Sequence, residues 1–139
     1  RFKDRFDFVF DIESSLNTEN ILVPSMILQP FVENSIMHGI LPSESFGTIN
    51  IEISKVKNES IQFEIKDNGI GIETSVKQKN GTSYHVSNGM KITRQRMEVL
   101  STMTGKNYSV KGPLELKTPE DGVLGTLVQI TLPFKERMN

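Results

Sequence analysis

Apolar residues recur at every second position in four stretches, and each alternation predicts a strand with one buried face. Phe6, Phe8, Phe10 and Ile12 alternate with Arg5, Asp7, Val9 and Asp11. Ile49, Ile51 and Ile53 alternate with Asn50, Glu52 and Ser54, and Ile61, Phe63 and Ile65 follow the polar break Asn58-Glu59, which predicts an antiparallel hairpin. Val128, Ile130 and Leu132 make a final strand that Pro133 ends. Tyr108 to Val110 and Leu114 to Leu116 are weaker strand candidates.

Elsewhere the period is that of a helix. From Pro24 to Ile40, the residues Leu28, Phe31, Val32, Ser35 and Gly39 fall on one face, and Pro30 marks either the first turn or a kink. Gly89 to Thr104 directs Met90, Met97, Leu100 and Thr104 inward, with Lys91, Gln95 and Glu98 outward. Residues 14–20 and 41–47 read as connections. The polar stretch from Glu73 to Asn88 has no periodicity, and an unstructured connection of that size inside a compact domain is more often a functional lid than a spacer. Helices and mostly antiparallel strands in this order predict an α+β fold: a two-layer α/β sandwich with a mixed, mostly antiparallel sheet and its helices on one face.

Composition narrows the function. The 139 residues suffice for one core and one domain, 1–139. A net charge of -1 argues against a general nucleic-acid binder. The absence of cysteine excludes disulfide scaffolds, thiolate metal sites and a cysteine nucleophile, and accords with a reducing compartment. No apolar run approaches the roughly 20 residues of a membrane span, so the domain is expected to be soluble and without membrane contact of its own. With Arg1 first and no initiator methionine, the sequence reads as an excerpt of a longer protein.

Three polar clusters carry candidate chemistry. The strand Ile61, Phe63, Ile65 runs into Asp67-Asn68-Gly69-Ile70-Gly71, where two glycines let the main chain turn and approach a ligand while Asp67 is left as an acceptor at the strand end. A carboxylate there can accept from the exocyclic amine of adenine; guanine presents an acceptor instead, so ATP is selected over GTP. On the first helix, Asn34 and His38 lie four apart in Glu33-Asn34-Ser35-Ile36-Met37-His38-Gly39. The Asn34 amide oxygen can ligate a hard cation such as Mg2+, or Asn34 caps a neighbouring loop and His38 is a core-edge histidine. Ser87-Asn88-Gly89 opens the second long helix, whose free N–H groups favour phosphate.

In order and spacing these clusters resemble the GHKL (Bergerat) ATP-binding fold. The narrower resemblance is to the catalytic and ATP-binding domain of LytS-type bacterial sensor histidine kinases. It rests on Leu28-Gln29-Pro30-Phe31-Val32-Glu33-Asn34, Asp67 to Gly71, Gly-Met-Lys-Ile-Thr-Arg-Gln-Arg-Met from Gly89 to Met97, and Gly125-Thr126 before the last strand. It implies ATP and Mg2+ as cofactors, with Asn34 as the magnesium ligand and Asp67 as the adenine acceptor. Gly69 and Gly71 would form the turn beneath the nucleotide, His38 would pack beside adenine, and Thr126 would sit at the base of its pocket. Glu33 belongs to the catalytic motif with Asn34, Gly89 to the phosphate turn, and residues 73–88 to an ATP lid that closes over the phosphates.

The resemblance also implies a protein-histidine kinase. Its acceptor histidine lies on an upstream dimerisation domain, and a response regulator receives the phosphate. The parent would be a homodimeric, membrane-attached sensor with this domain on the cytoplasmic side, and the fragment alone would bind ATP without phosphorylating itself. Three positions depart from the family. Ser87 replaces a glycine, Met37 a lysine and Ile92 an asparagine, which leaves Lys91, Arg94 or Arg96 to supply phosphate contacts. Two other readings stand beside the kinase. One is a hydrolase of the same superfamily, for which Pro30 occupies the position of the glutamate base. The other is a docking module that keeps the fold without the nucleotide.

Overall fold

A computed structural model of the chain describes residues 6–16, 21–22, 27–43, 46–57, 59–78, 88–120 and 122–136. Strands β1 (Phe6–Ile12), β3 (Gly47–Val56), β4 (Ser60–Asp67), β5 (Ser109–Lys117) and β6 (Val123–Pro133) form one sheet in the order β1-β3-β4-β6-β5. Among the described strands only β1 with β3 is parallel; the other pairs are antiparallel, the mixed sheet expected of the α+β class. A two-stranded ribbon of β2 (Ile21–Leu22) and β7 (Lys135–Glu136), which the sequence pattern does not predict, stands beside it.

The alternations place the core correctly in the middle of the sheet. Ile49 and Ile51 of β3, Ile61, Phe63 and Ile65 of β4, and Val128, Ile130 and Leu132 of β6 are all buried. They share one face, since Ile51 pairs with Ile65 and Ile65 with Val128. Phe31 from helix α1 (Gln29–Ser35) and Met90 and Met97 from helix α3 (Asn88–Thr104) join them in a single cluster. At about 2 kcal/mol for each large apolar side chain withdrawn from water, this face is the main source of stability.

Five expectations are corrected. In β1 only Phe6 is buried; Phe8, Phe10 and Ile12 lie on an edge strand and stay exposed, the rings packing on one another (Phe6 to Phe8 5.4 Å, Phe8 to Phe10 6.4 Å). The first helix begins at Gln29, so Pro30 lies in its first turn, where no intrahelical N–H is lost, and it introduces no kink. Pro24 lies outside the described residues. The stretch from Glu73 is not wholly irregular: Gly71–Gln78 is a helix, α2, while residues 79–87, including His85 and Ser87, lie outside the described residues. On α3, Met90, Thr93 and Met97 face inward, whereas Leu100 is half-buried and Thr104 exposed. The two weak strand candidates are one strand, β5, with a register shift between Lys111 and Leu114.

Candidate functional site

The end of β4 delivers Asp67 onto the helical side of the sheet, opposite Thr126 of β6. Asp67 is only 3% exposed. A buried carboxylate is costly unless hydrogen-bonded, and this one is. Its Oδ1 accepts the Gly69 N–H at 2.9 Å, and its Oδ2 accepts the Thr126 hydroxyl. A carboxylate has about four lone-pair directions, so two donors from the chain leave capacity for a ligand amine.

The glycines around it are there for space. Helix α1 widens into a π-helical turn at Ile36–Ile40, closed by Leu41 N–H to Ile36 O at 2.9 Å, a departure from α geometry often found at functional sites. Within this turn the Gly39 carbonyl accepts Ile70 N–H at 3.1 Å, which joins the α1 end to the turn after Asp67. The contact is so close that a Cβ on Gly69 would lie 2.3–2.5 Å from Gly39 backbone atoms, and one on Gly39 would lie 3.0 Å from Asp67 Oδ1. Gly125 has φ +134, and a Cβ there would overlap the Asp67 carbonyl. Asn68 fastens the same turn to β3: its Oδ1 accepts Thr48 N–H at 2.7 Å.

Asn34 is 6% exposed on the inward face of α1, and its Oδ1 accepts no hydrogen bond from the described residues, although another contact holds the residue. A buried, hard oxygen donor of this kind suits Mg2+. No cluster of three acidic or histidine side chains that could hold a metal by themselves occurs among the described residues. His38 is half-buried in the π-helical turn. Glu33, by contrast, is exposed on the other side of the helix and accepts from Gln29 Nε2 at 2.8 Å. Gly89 lies in the first turn of α3 and is half-buried.

Among the cations expected to reach phosphate, Arg94 is committed elsewhere. Its guanidinium donates to Val110 O at 2.9 Å and to Gly112 O, anchoring α3 to the irregular centre of β5. Lys91 and Arg96 remain exposed, as do Met37 and Ile92. The sequence pattern does not reveal Gly39 packed against Asp67 and its turn, nor Glu115, whose carboxylate meets the start of α2. Only the G-x-G spacing after Asp67 hinted that backbone was approaching backbone.

Residues 20–136 match the family described as histidine kinase-, DNA gyrase B-, and HSP90-like ATPase. The sensor histidine kinase YesM of Bacillus subtilis is 26% identical over 138 residues, covering 99% of this chain and 21% of YesM. The sensor histidine kinase YpdA of Escherichia coli is 34% identical over 76 residues, 55% of this chain and 13% of YpdA. The sensor protein LytS of Staphylococcus haemolyticus is 28% identical, with 96% of this chain and 21% of LytS covered. The chain thus spans about a fifth or less of the length of these relatives. Among solved structures, the histidine kinase domain of the Erythrobacter litoralis EL346 blue-light activated kinase superposes with a TM-score of 0.58. That match has 19% identity and covers 94% of this chain and 52% of the other. The catalytic domain of histidine kinase ThkA gives a TM-score of 0.54 at 16% identity, over 92% of this chain and 78% of the ThkA domain.

Proposed function

The chain belongs to the histidine kinase-, DNA gyrase B- and HSP90-like ATPase family, and from that premise we propose that it is the ATP-binding catalytic domain of a two-component sensor histidine kinase. The observation that carries this reading is Asp67, a buried carboxylate with two donors from the chain and acceptor capacity to spare, walled by backbone at Gly39, Gly69 and Gly125. Such an acceptor suits a base with an exocyclic amine, and it favours adenine over guanine. Thr126 keeps the carboxylate oriented, and His38 of the π-helical turn would pack beside the base.

Asn34 would hold Mg2+, which neutralises phosphate charge, and ATP supplies the γ-phosphoryl group that passes to a histidine nitrogen as the bridging bond to the β-phosphate breaks and ADP leaves. The N-terminus of α3 around Gly89 receives phosphate through its free N–H groups. The described residues hold no side chain placed to act as base toward water at the first turn of α1, because Pro30 is there, and this favours transfer over hydrolysis. Residues 73–88 form the lid: its stalk is α2, which starts at the ligand-facing turn. The acceptor histidine lies on an upstream dimerisation domain of a longer, homodimeric and membrane-attached protein, this domain facing the cytoplasm, and an aspartate of a response regulator takes the phosphate next. A solved complex of histidine kinase ThkA with the response regulator TrrA supports such a partner for a protein of this fold.

Thermal unfolding tests the reading. Mg-ATP at about 100 times its dissociation constant adds roughly 2.7 kcal/mol, whereas Mg-GTP adds little, and Asp67→Asn loses most of the ATP effect. Absence of any shift with ATP at millimolar concentration would replace the kinase by a docking module. The exposed apolar side chains of Met37 and Ile92, at positions where the family pattern is polar, are the feature favouring that second reading.

A further inference from the structure

Glu115 lies on the inward face of β5, opposite Thr126 in the β5–β6 register. Its Oε1 accepts the backbone N–H of Glu73 at 3.1 Å, across 42 residues of sequence. Glu73 is the third residue of α2, and a helix leaves its first N–H groups without partners inside the helix; a capping side chain normally comes from the residue just before the helix. Here the neighbouring residue is Ile70, which has no acceptor, and the cap arrives from another strand. Two residues further along β5, Lys117 Nζ lies 4.0 Å from Glu73 Oε2, a largely exposed pair beside the cap rather than part of it.

The carboxylate also presses on the glycine motif. Gly71 has φ +83, and a Cβ there would lie 2.4 Å from Glu115 Oε1 and 2.5 Å from Val123 Cγ1. Gly71 closes the turn that begins at Asp67 and starts α2, which packs against the π-helical turn, β5 and β6. One side chain therefore sets where the ligand-facing turn ends and where the stalk of the lid begins.

The geometry points to Glu115 as a positioning residue for nucleotide binding: by capping α2 from β5, it holds the Asp67–Gly71 turn closed so that the nucleotide meets a preformed wall. This rests on the ATP site read above. Glu115 need not touch the nucleotide itself; it acts through α2 and Gly71.

The test compares Glu115→Gln, which keeps an acceptor oxygen, with Glu115→Met, which keeps the length and removes it. Mg-ATP affinity is measured by calorimetric titration, and amide hydrogen exchange is followed at Glu73. Loss of a hydrogen bond to a charged acceptor predicts about tenfold weaker ATP binding for Glu115→Met, with faster exchange at Glu73 and unaltered exchange in β4 and β6. Glu115→Gln should bind within about threefold of the wild type, a rescue that packing alone does not predict. Lys117→Ala is expected to change neither quantity, because that pair is largely exposed. Equal affinities for the wild type and Glu115→Met would overturn the inference while leaving the ATP site intact, and so would equal losses for Gln and Met. A wild-type protein that binds no ATP would overturn both.

Discussion

Replacing Gly69 by alanine tests whether the second glycine of the Asp67 turn is required for its conformation or for its surroundings. Gly69 is not among the residues with positive φ, so the backbone itself tolerates a side chain. Space does not: the new Cβ would lie 2.3 Å from Gly39 C, 2.4 Å from Gly39 Cα and 2.5 Å from Gly39 O, all backbone atoms that no rotamer change can move. Reaching an ordinary contact requires a separation of about 1 Å between the turn and the π-helical segment, an overpacking cost of about 1–3 kcal/mol. The Ile70 N–H to Gly39 O bond, now 3.1 Å, breaks with it, which adds about 1 kcal/mol. The expected loss is therefore about 2–4 kcal/mol, read by urea unfolding with an unchanged slope, together with loss of Mg-ATP stabilisation.

Gly105→Ala is the matched control. Gly105 follows the end of α3 with φ +69 and nothing within 4 Å of its would-be Cβ. It should cost about 1 kcal/mol through conformation alone and leave ATP binding intact. Both substitutions reduce unfolded-chain entropy equally, so the difference between them isolates the Gly39 contact. If Gly69→Ala is no less stable than Gly105→Ala and binds ATP within twofold of the wild type, the close-approach argument is wrong.

Two further outcomes follow from the hydrogen bonds. Thr126→Val keeps the shape of a buried residue but removes the donor to Asp67 Oδ2. A loss of about 1.5–3 kcal/mol is expected in denaturant unfolding, with reduced preference for ATP over GTP in the same thermal-shift assay. Arg94→Ala removes two guanidinium bonds to β5 carbonyls. It should cost about 2–4 kcal/mol with the ATP dissociation constant unchanged, whereas exposed Arg96→Ala stays within about 0.5 kcal/mol in stability. A large fall in ATP affinity for Arg94→Ala, without a fall in stability, would return Arg94 to the phosphate-binding role.

The sheet centre was legible because β3, β4 and β6 each bury one face along most of their length, and a period of two then records burial directly. The same alternation misled at β1, where strand geometry is present but the edge position leaves Phe8, Phe10 and Ile12 largely exposed. Alternation reports which side chains share a face; it does not report what covers that face. The two-residue strands β2 and β7 are too short for any period to appear.

Helix α2 failed differently. Its sequence, Gly-Ile-Glu-Thr-Ser-Val-Lys-Gln, offers a weak apolar stripe and no side-chain cap before it, and so it reads as connection. What stabilises its first turn is Glu115, 42 positions away, and no local pattern records such a partner. The candidate site divides in the same way. Asp67, Gly69 and Gly71 stand out because they form one short pattern in the sequence, whereas the neighbours that leave no room for a side chain there, Gly39 against Gly69 and Glu115 against Gly71, come from other elements and become visible only once the chain has folded back on itself. The motif residues of the candidate site are thus local in the chain, and the residues that hold the motif in shape are the long-range ones. If ATP binding here is governed by that second group, Glu115→Met should weaken it even though every residue of the motif is unchanged.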